Sequence, residues 1–252
     1  MTEHQRPSTL ITGAASGLGR RLAYEAHSRG YHVYLVDKSP EVAAIAQALE
    51  GEYLVADLAD RESLDSISRW ADAVGMVFNN AGIAKKGQFH QTELADAEKI
   101  VRVNVMAPLI LTRLFLEKFC KRNSGVIVNI SSSASYFPTP GLASYGATKA
   151  FLTSLGETLS METLDMPNVR VLTVCPSGID TNFQASSGVR RELNELLLNP
   201  SDLARKIFND VLSGRAGIRD YGRPTHIIRI MRRMLPRKMF LRILGYMMKQ
   251  YR

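Results

Sequence analysis

The sequence predicts an α/β fold: a doubly wound parallel sheet with helices on both faces, extended at its C-terminus by a basic helical tail. Three observations carry this. Apolar runs rich in β-branched residues alternate with segments of helical period along most of the chain. A glycine-rich turn joins the first of these runs to the first helix. The charge is divided, with a near-neutral body and a strongly basic stretch from residue 215 onward.

The elements follow in order. Residues 8–12 form the first strand, and a helix begins at Gly17. Residues 31–36 and 53–56 give the second and third strands, with helices from Pro40 and Asp60. Runs at 75–79, 125–131 and 169–174 complete the series, separated by long helical patterns. Strand, helix, strand in succession makes a right-handed crossover, so the sheet is parallel and covered on both faces. A short last strand near residues 218–221 leads into the tail. With no Gly/Ser linker, low-complexity stretch or longer repeat, residues 1–222 read as one domain and 223–252 as its extension.

The chain has 252 residues, 45% of them apolar and 22% charged, enough to bury a substantial core. Its first residues are polar and run straight into an apolar strand, so export is not expected. Nor does any stretch approach the roughly 20 consecutive apolar residues that a spanning helix needs. Cys120 and Cys175 lie in apolar surroundings and are expected as buried free thiols of a reducing compartment, with no disulfide and no metal. These features point to a cytoplasmic location, with the tail as the candidate for membrane association.

Of the net charge of +8, residues 215–252 hold +10 (11 Lys/Arg against Asp220), leaving −2 for the rest. No nucleic-acid module stands beside the tail, so a nucleic-acid partner is not expected. At helical spacing Ile227, Ile228, Ile230, Met231, Met234 and Leu235 share an arc of about 160°, with Arg229, Arg232 and Arg233 opposite. After Pro236 a second helix collects Met239, Phe240, Ile243, Leu244, Tyr246 and Met247 on one face, with Lys238, Arg242 and Lys249 away from it. Such helices suit an anionic membrane surface and equally suit packing on the body as a cap over a cleft.

Thr12-Gly13-Ala14-Ala15-Ser16-Gly17-Leu18-Gly19 stands between the first strand and first helix. Glycines there let the chain turn tightly, approach a pyrophosphate and aim a helix N-terminus at it. Asp37, at the end of the second strand, is placed to accept hydrogen bonds from an adenosine ribose while repelling a 2′-phosphate, which favours NAD over NADP. The adjacent Lys38 works against that preference. Farther on, Tyr145 and Lys149 lie four residues apart on one helical face, so the ammonium is expected to lower the phenol's pKa toward neutrality and make it a general acid/base.

Taken with Asp57, Asn79-Asn80-Ala81-Gly82, Asn104, Ser132 thirteen residues before Tyr145, and the loop from Pro176 to Thr181, these motifs resemble the short-chain dehydrogenase/reductase family over residues 8–183. The resemblance implies a Rossmann-type fold and hydride transfer between a nicotinamide cofactor and an alcohol/carbonyl pair. Tyr145 would exchange a proton with the substrate oxygen, Ser132 would hydrogen-bond that oxygen, and Lys149 would tune Tyr145 and hold the nicotinamide ribose. Asn104 would keep a water in a relay to Lys149. Gly13, Ser16, Gly17, Leu18 and Gly19 would hold the phosphates, Asp57 and Leu58 the adenine, and Asn80 with Ala81 and Gly82 the ribose region. Pro176, Ile179 and Thr181 would face the carboxamide and phosphates. For Asn80 and Asn104, satisfying nearby backbone groups is an equal alternative. Ser131 and Ser133 flank Ser132, which is singled out by spacing alone.

The chain departs from the family pattern in having Pro176-Ser177-Gly178 where Pro-Gly is usual, and in its basic ending. A nucleotide sensor without turnover is the competing reading, disfavoured by the presence of the full Asn104, Ser132, Tyr145 and Lys149 set. Segments 84–89, 135–144 and 183–198, with Phe89, Tyr136, Phe137, Leu142 and Phe183, suggest a small hydroxy/oxo substrate with an apolar body, although such aromatics also serve as packing. The resemblance further implies a homodimer or homotetramer built on helices at about 92–119 and 144–164.

Overall fold

The computed structural model describes residues 6–181, 183, 187–188 and 197–247. Strands β1 (Ser8–Thr12), β2 (His32–Asp37) and β3 (Glu52–Val55) alternate with helices α1 (Gly17–Ser28), α2 (Val42–Ala48) and α3 (Arg61–Trp70). Then come β4 (Met76–Asn79), α4 (Leu94–Val101), α5 (Ala107–Arg122), β5 (Gly125–Ile130), α6 (Ala143–Glu162) and β6 (Val169–Pro176). Helix α7 (Pro200–Leu212), strand β7 (Gly217–Tyr221) and helices α8 (Arg223–Met234) and α9 (Arg237–Met247) close the described chain. The strands form one sheet in the order β3-β2-β1-β4-β5-β6-β7, every neighbouring pair parallel.

Residues alternate between the two faces of this sheet, and so do the cores. Ile11, Leu35, Phe78 and Val128 join Leu22 of α1 and Phe208 of α7 on one side. Leu10, Val77 and Ile127 join Ile67 of α3 and Phe115 and Phe119 of α5 on the other. Helix starts are chemically marked: Asp60 accepts from the amides of Glu62 and Ser63 ahead of α3, and Asn199 from those of Ser201 and Asp202 ahead of α7. Chain order reverses between β1 and β4, which opens a crevice at the carboxyl ends of the strands.

Two expectations are revised. The helix expected over 92–119 is interrupted by a π-helical stretch, Arg102–Met106, between α4 and α5. Pro108 has no amide hydrogen to give the carbonyl four residues back, that of Asn104, and its ring crowds that carbonyl, so the ladder widens there. The apolar arc of the first tail helix is also divided. Thr225 is buried and Ile228, Met231 and Leu235 are partly buried, whereas Ile227, Ile230 and Met234 face outward. Arg229, expected on a solvated face, instead pairs with Asp220 at 2.7 Å. In α9, Phe240 and Leu244 are buried; the side chain of Met247, and Lys249 altogether, lie outside what is described. Cys175 is buried and Cys120 only half-buried, both free thiols.

Candidate active site

At the carboxyl end of β1, Gly13 adopts φ +69° and Gly17 φ +52°, in the left-handed region that favours glycine. A Cβ on Gly19 would stand 2.1 Å from the Gly13 carbonyl oxygen and 2.5 Å from Asn80 Nδ2, so α1 can press against the turn only with glycine there. Ser16 caps α1 without a side-chain hydrogen bond, which leaves the first helical amides for an anion. Leu18 turns into the core, so its backbone alone can face a ligand.

Thr12, which sequence reasoning passed over as a site residue, ties this turn to β4. Its hydroxyl donates to the Phe78 carbonyl at 3.2 Å and accepts from the amides of Asn80 and Ala81, both at 3.1 Å. The signal available in the sequence was a hydroxyl residue ending the strand directly before the first glycine. Asn80 Nδ2 donates to the Thr12 carbonyl at 2.9 Å and the Gly13 carbonyl at 3.3 Å, the backbone-satisfying alternative.

Asp37 ends β2, with Oδ2 accepting from the Ala15 amide at 2.9 Å and Oδ1 from Ser39 at 3.0 Å, while the carboxylate stays partly exposed. Lys38 is exposed beside it. Asp57 accepts from the Ala59 amide at 2.9 Å and lies 3.5 Å from Lys99 Nζ, whereas the Leu58 side chain is buried in the core.

Across the crevice, β5 and α6 carry the chemistry. Lys149 is 4% exposed and its Nζ donates to the Ile130 carbonyl at 2.8 Å. The same Nζ stands 5.7 Å from the Tyr145 ring centroid. The Ser132 hydroxyl accepts from the Ala134 amide at 3.1 Å and is the neighbouring group that acts to lower the Tyr145 phenol. Ser131 is buried, donating to the Lys149 carbonyl at 2.9 Å and lying 2.7 Å from the Thr153 hydroxyl, so of these two serines Ser132 is the one turned to Tyr145. Ser133 starts a short 3₁₀ turn ending at Ser135.

Asn104, in the π-helical stretch, accepts from the Ile83 amide at 2.9 Å. Its Nδ2 donates to the Ile83 carbonyl at 2.9 Å and the Thr148 hydroxyl at 3.1 Å. It therefore fastens the strand-end segment after Gly82 to α6. A Cβ on Gly82 would lie 3.4 Å from Lys149 Nζ and 3.5 Å from Asn104 Oδ1, so the missing side chain leaves a small cradle between them.

The electrostatics correct one expectation. Burial raises the half-buried Tyr145 phenol to about 12, with the Ser132 hydrogen bond acting in the opposite direction. Burial lowers Lys149 to about 8. The ammonium is aimed at the Ile130 carbonyl, and burial, not the lysine, governs the phenol.

Beyond β6, the Ser177 amide donates to the Tyr221 carbonyl at 2.9 Å, and a Cβ on Gly222, at φ +95°, would meet Ser177 Oγ at 2.2 Å. The extra serine is thus absorbed against β7. Ile179 bridges to Leu198, and Thr181 Cβ lies 3.4 Å from where a Cβ on Gly17 would stand, so the loop from Pro176 reaches the start of α1.

Phe183 packs its ring 5.6 Å from that of Tyr145; residues 184–186 and 189–196 of the expected pocket wall lie outside the described residues. Phe89 is exposed. Phe137 lines a cavity of about 650 Å³ between segment 134–150 and helices α8 and α9. Tyr136 borders the same cavity, but its hydroxyl is taken by Asp220 at 2.7 Å. A hollow of about 860 Å³ lies at the opposite, amino ends of the strands, beside Ser8, Gly75 and Gly125, away from these groups.

The family model for a short chain dehydrogenase matches residues 8–192. An uncharacterized oxidoreductase of Thermotoga maritima is 30% identical over 222 residues, covering 82% of this chain and 83% of the relative. A short-chain dehydrogenase from Sphingobium yanoikuyae, in complex with NADPH, is 28% identical with a TM-score of 0.79 over 85% of this chain and 87% of its own. The 3-ketoacyl-(acyl-carrier-protein) reductase of Brucella melitensis, complexed with NADH, is 26% identical with a TM-score of 0.78 over 86% and 96%. The chain belongs to the short-chain dehydrogenase family. It is an oxidoreductase acting on a CH–OH/carbonyl pair with a nicotinamide cofactor.

Proposed function

We propose that this enzyme interconverts a hydrophobic or lipid-like alcohol and its carbonyl, prefers NAD(H) to NADP(H), and uses Tyr145 as its general acid/base. The observation that carries the reading is that Ser132 and Lys149 flank Tyr145, the Lys149 Nζ 5.7 Å from its ring centroid, beside the cradle left by Gly82. That cradle, the free start of α1 and the partly exposed Asp37 fit a dinucleotide. Gly13, Ser16, Gly17 and Thr181 would take its phosphates, Asp37 its adenosine ribose, Asp57 its adenine, and Lys149 its other ribose. The bound nicotinamide supplies the hydride chemistry.

The chain's own residues supply position and protons. With its phenol raised to about 12, Tyr145 is protonated at neutral pH and stands ready to donate to a carbonyl oxygen that Ser132 also holds. Lys149, at about 8, holds its proton loosely enough to pass one on at Nζ. Asn104 keeps the Ile83 segment in place next to that atom. An apolar substrate suits Phe183 against Tyr145 and the apolar cavity wall formed by Phe137, Pro138, Leu235 and Phe240. It also suits the acyl substrate named for the Brucella relative. Exposed Val101, Met106, Phe151 and Met161 on and beside α4, α5 and α6 support a homodimer or homotetramer through those helices.

The test is Tyr145→Phe assayed on a panel of hydrophobic ketones. Turnover falls about 100-fold or more while cofactor binding stays within about twofold. Unchanged turnover rejects the mechanism.

A further inference from the structure

Helices α8 and α9 present two different surfaces. Toward the body they bury Thr225, Phe240 and Leu244, and Arg229 reaches Asp220 at 2.7 Å, so the orientation of α8 is set by a buried carboxylate. Away from the body they expose Ile227 (56%), Ile230 (62%) and Met234 (74%). At 100° per residue these three fall within about 60° of one another, with Arg223 among them and Arg233 on their flank. A buried helix would not spend three large apolar side chains on water, and a purely solvated one would not carry them in a stripe.

The charges around the stripe are as one-sided. Arg223, Arg233, Lys238 and Arg242 are exposed, and none pairs with an acid among the described residues; Asp220, the one acid of residues 215–252, is taken by Arg229. A second copy docked through the same face would set Arg223, Arg233, Lys238 and Arg242 against the same four cations. A nucleic acid would use the cations and leave the stripe in water. An anionic lipid surface satisfies both features at once, because apolar side chains enter the acyl boundary while the arginines stay among phosphates.

We propose that the outward face of α8 and α9, centred on Ile227, Ile230 and Met234 and rimmed by Arg223, Arg233, Lys238 and Arg242, docks the enzyme reversibly on an anionic membrane. The association is peripheral: no helix among the described residues is long and apolar enough to cross a bilayer. The cavity beside Phe137 lies between these same helices and the segment leading to Tyr145. This inference stands apart from the proposed chemistry, since attachment needs no turnover.

The full chain is sedimented with phosphatidylserine-rich vesicles and with pure phosphatidylcholine vesicles. It pellets with the first at low salt, releases at high salt and stays behind with the second. Full-length I227S/I230S/M234S and full-length R223E/R233E each keep the wild-type unfolding midpoint and lose anionic-vesicle partitioning by about tenfold or more. Wild-type protein that stays in the supernatant overturns the proposal, as do variants that pellet like wild type. It is equally overturned if the stripe variant lowers the particle mass in light scattering without altering vesicle binding, which would make the stripe a subunit contact.

Discussion

The hydroxyl of Tyr136 donates a 2.7 Å hydrogen bond to Oδ1 of Asp220, whose side chain is 2% exposed and whose Oδ2 takes Arg229 at 2.7 Å. Three elements meet at that carboxylate: strand β7, the segment that follows Ser132, and tail helix α8. Burial is the main reason Tyr136 is held far above the ordinary phenol range, so it remains the donor. Asp220→Ala leaves that hydroxyl without its partner and frees α8. We expect stability to fall by about 1–3 kcal/mol, read as a lower urea midpoint at unchanged slope. A change below about 0.5 kcal/mol would deny Asp220 its clamping role.

Lys149 gives the enzyme a pH signature. Its folded pKa of about 8 lies below the ordinary 10.5, so between those values the unfolded chain binds more protons and stability rises with pH. The contribution is complete above the unfolded value and is lost as pH falls through 8. Tyr145, raised from 10 to about 12, acts oppositely and only above pH 10. Lys149→Met should therefore flatten the stability profile between pH 8 and 10 relative to wild type, by at most about 1.4 kcal/mol per pH unit. Parallel profiles from chemical denaturation would show that the lysine keeps its ordinary pKa.

Asp37, to which we assign the cofactor preference as a proposal, also holds the glycine turn through the Ala15 amide. Wild-type enzyme is expected to prefer NAD to NADP. Asp37→Ala should narrow that ratio by about tenfold while also weakening NAD itself, since one change removes a repulsion and a scaffold bond. A wild-type preference for NADP of tenfold or more in kcat/KM would make the exposed Lys38 dominant.

Two alanine substitutions separate a packing glycine from a cradle glycine. Gly19→Ala places a Cβ 2.1 Å from the Gly13 carbonyl and should cost about 1–3 kcal/mol of stability as well as cofactor affinity. Gly82→Ala meets only ordinary contacts at 3.4–3.5 Å, so the fold should hold while the cradle between Lys149 and Asn104 fills. Its expected result is an unchanged Tm with a KM for cofactor raised about tenfold. Equal loss of Tm in both variants would reduce Gly82 to a packing residue.

Much of this was legible because it is local. β-Branched runs place every strand within a residue or two, and the spacing of Tyr145 to Lys149 puts them on one helical face before any coordinates are known. The bond from Tyr136 to Asp220 spans 84 residues and has no periodic trace. Its one hint was a single acid inside a basic tail. The pKa of Tyr145 was misread because spacing reports proximity, whereas the direction of the shift depends on burial and on what the Lys149 Nζ points at. The division of the tail's apolar arc was equally out of reach, since an amphipathic pattern does not say which part of the arc the body will cover.

The proline after Asn104 has a further consequence. An alanine at position 108 would return the missing amide and allow Arg102–Met106 to tighten into ordinary helix. That tightening would swing Asn104 roughly 100° around the axis, away from Ile83 and Thr148. Pro108 thus behaves as a wedge: a better-formed helix and a correctly aimed asparagine are competing outcomes in this stretch, and the sequence holds the helix slightly open so that one amide side chain can reach across the crevice.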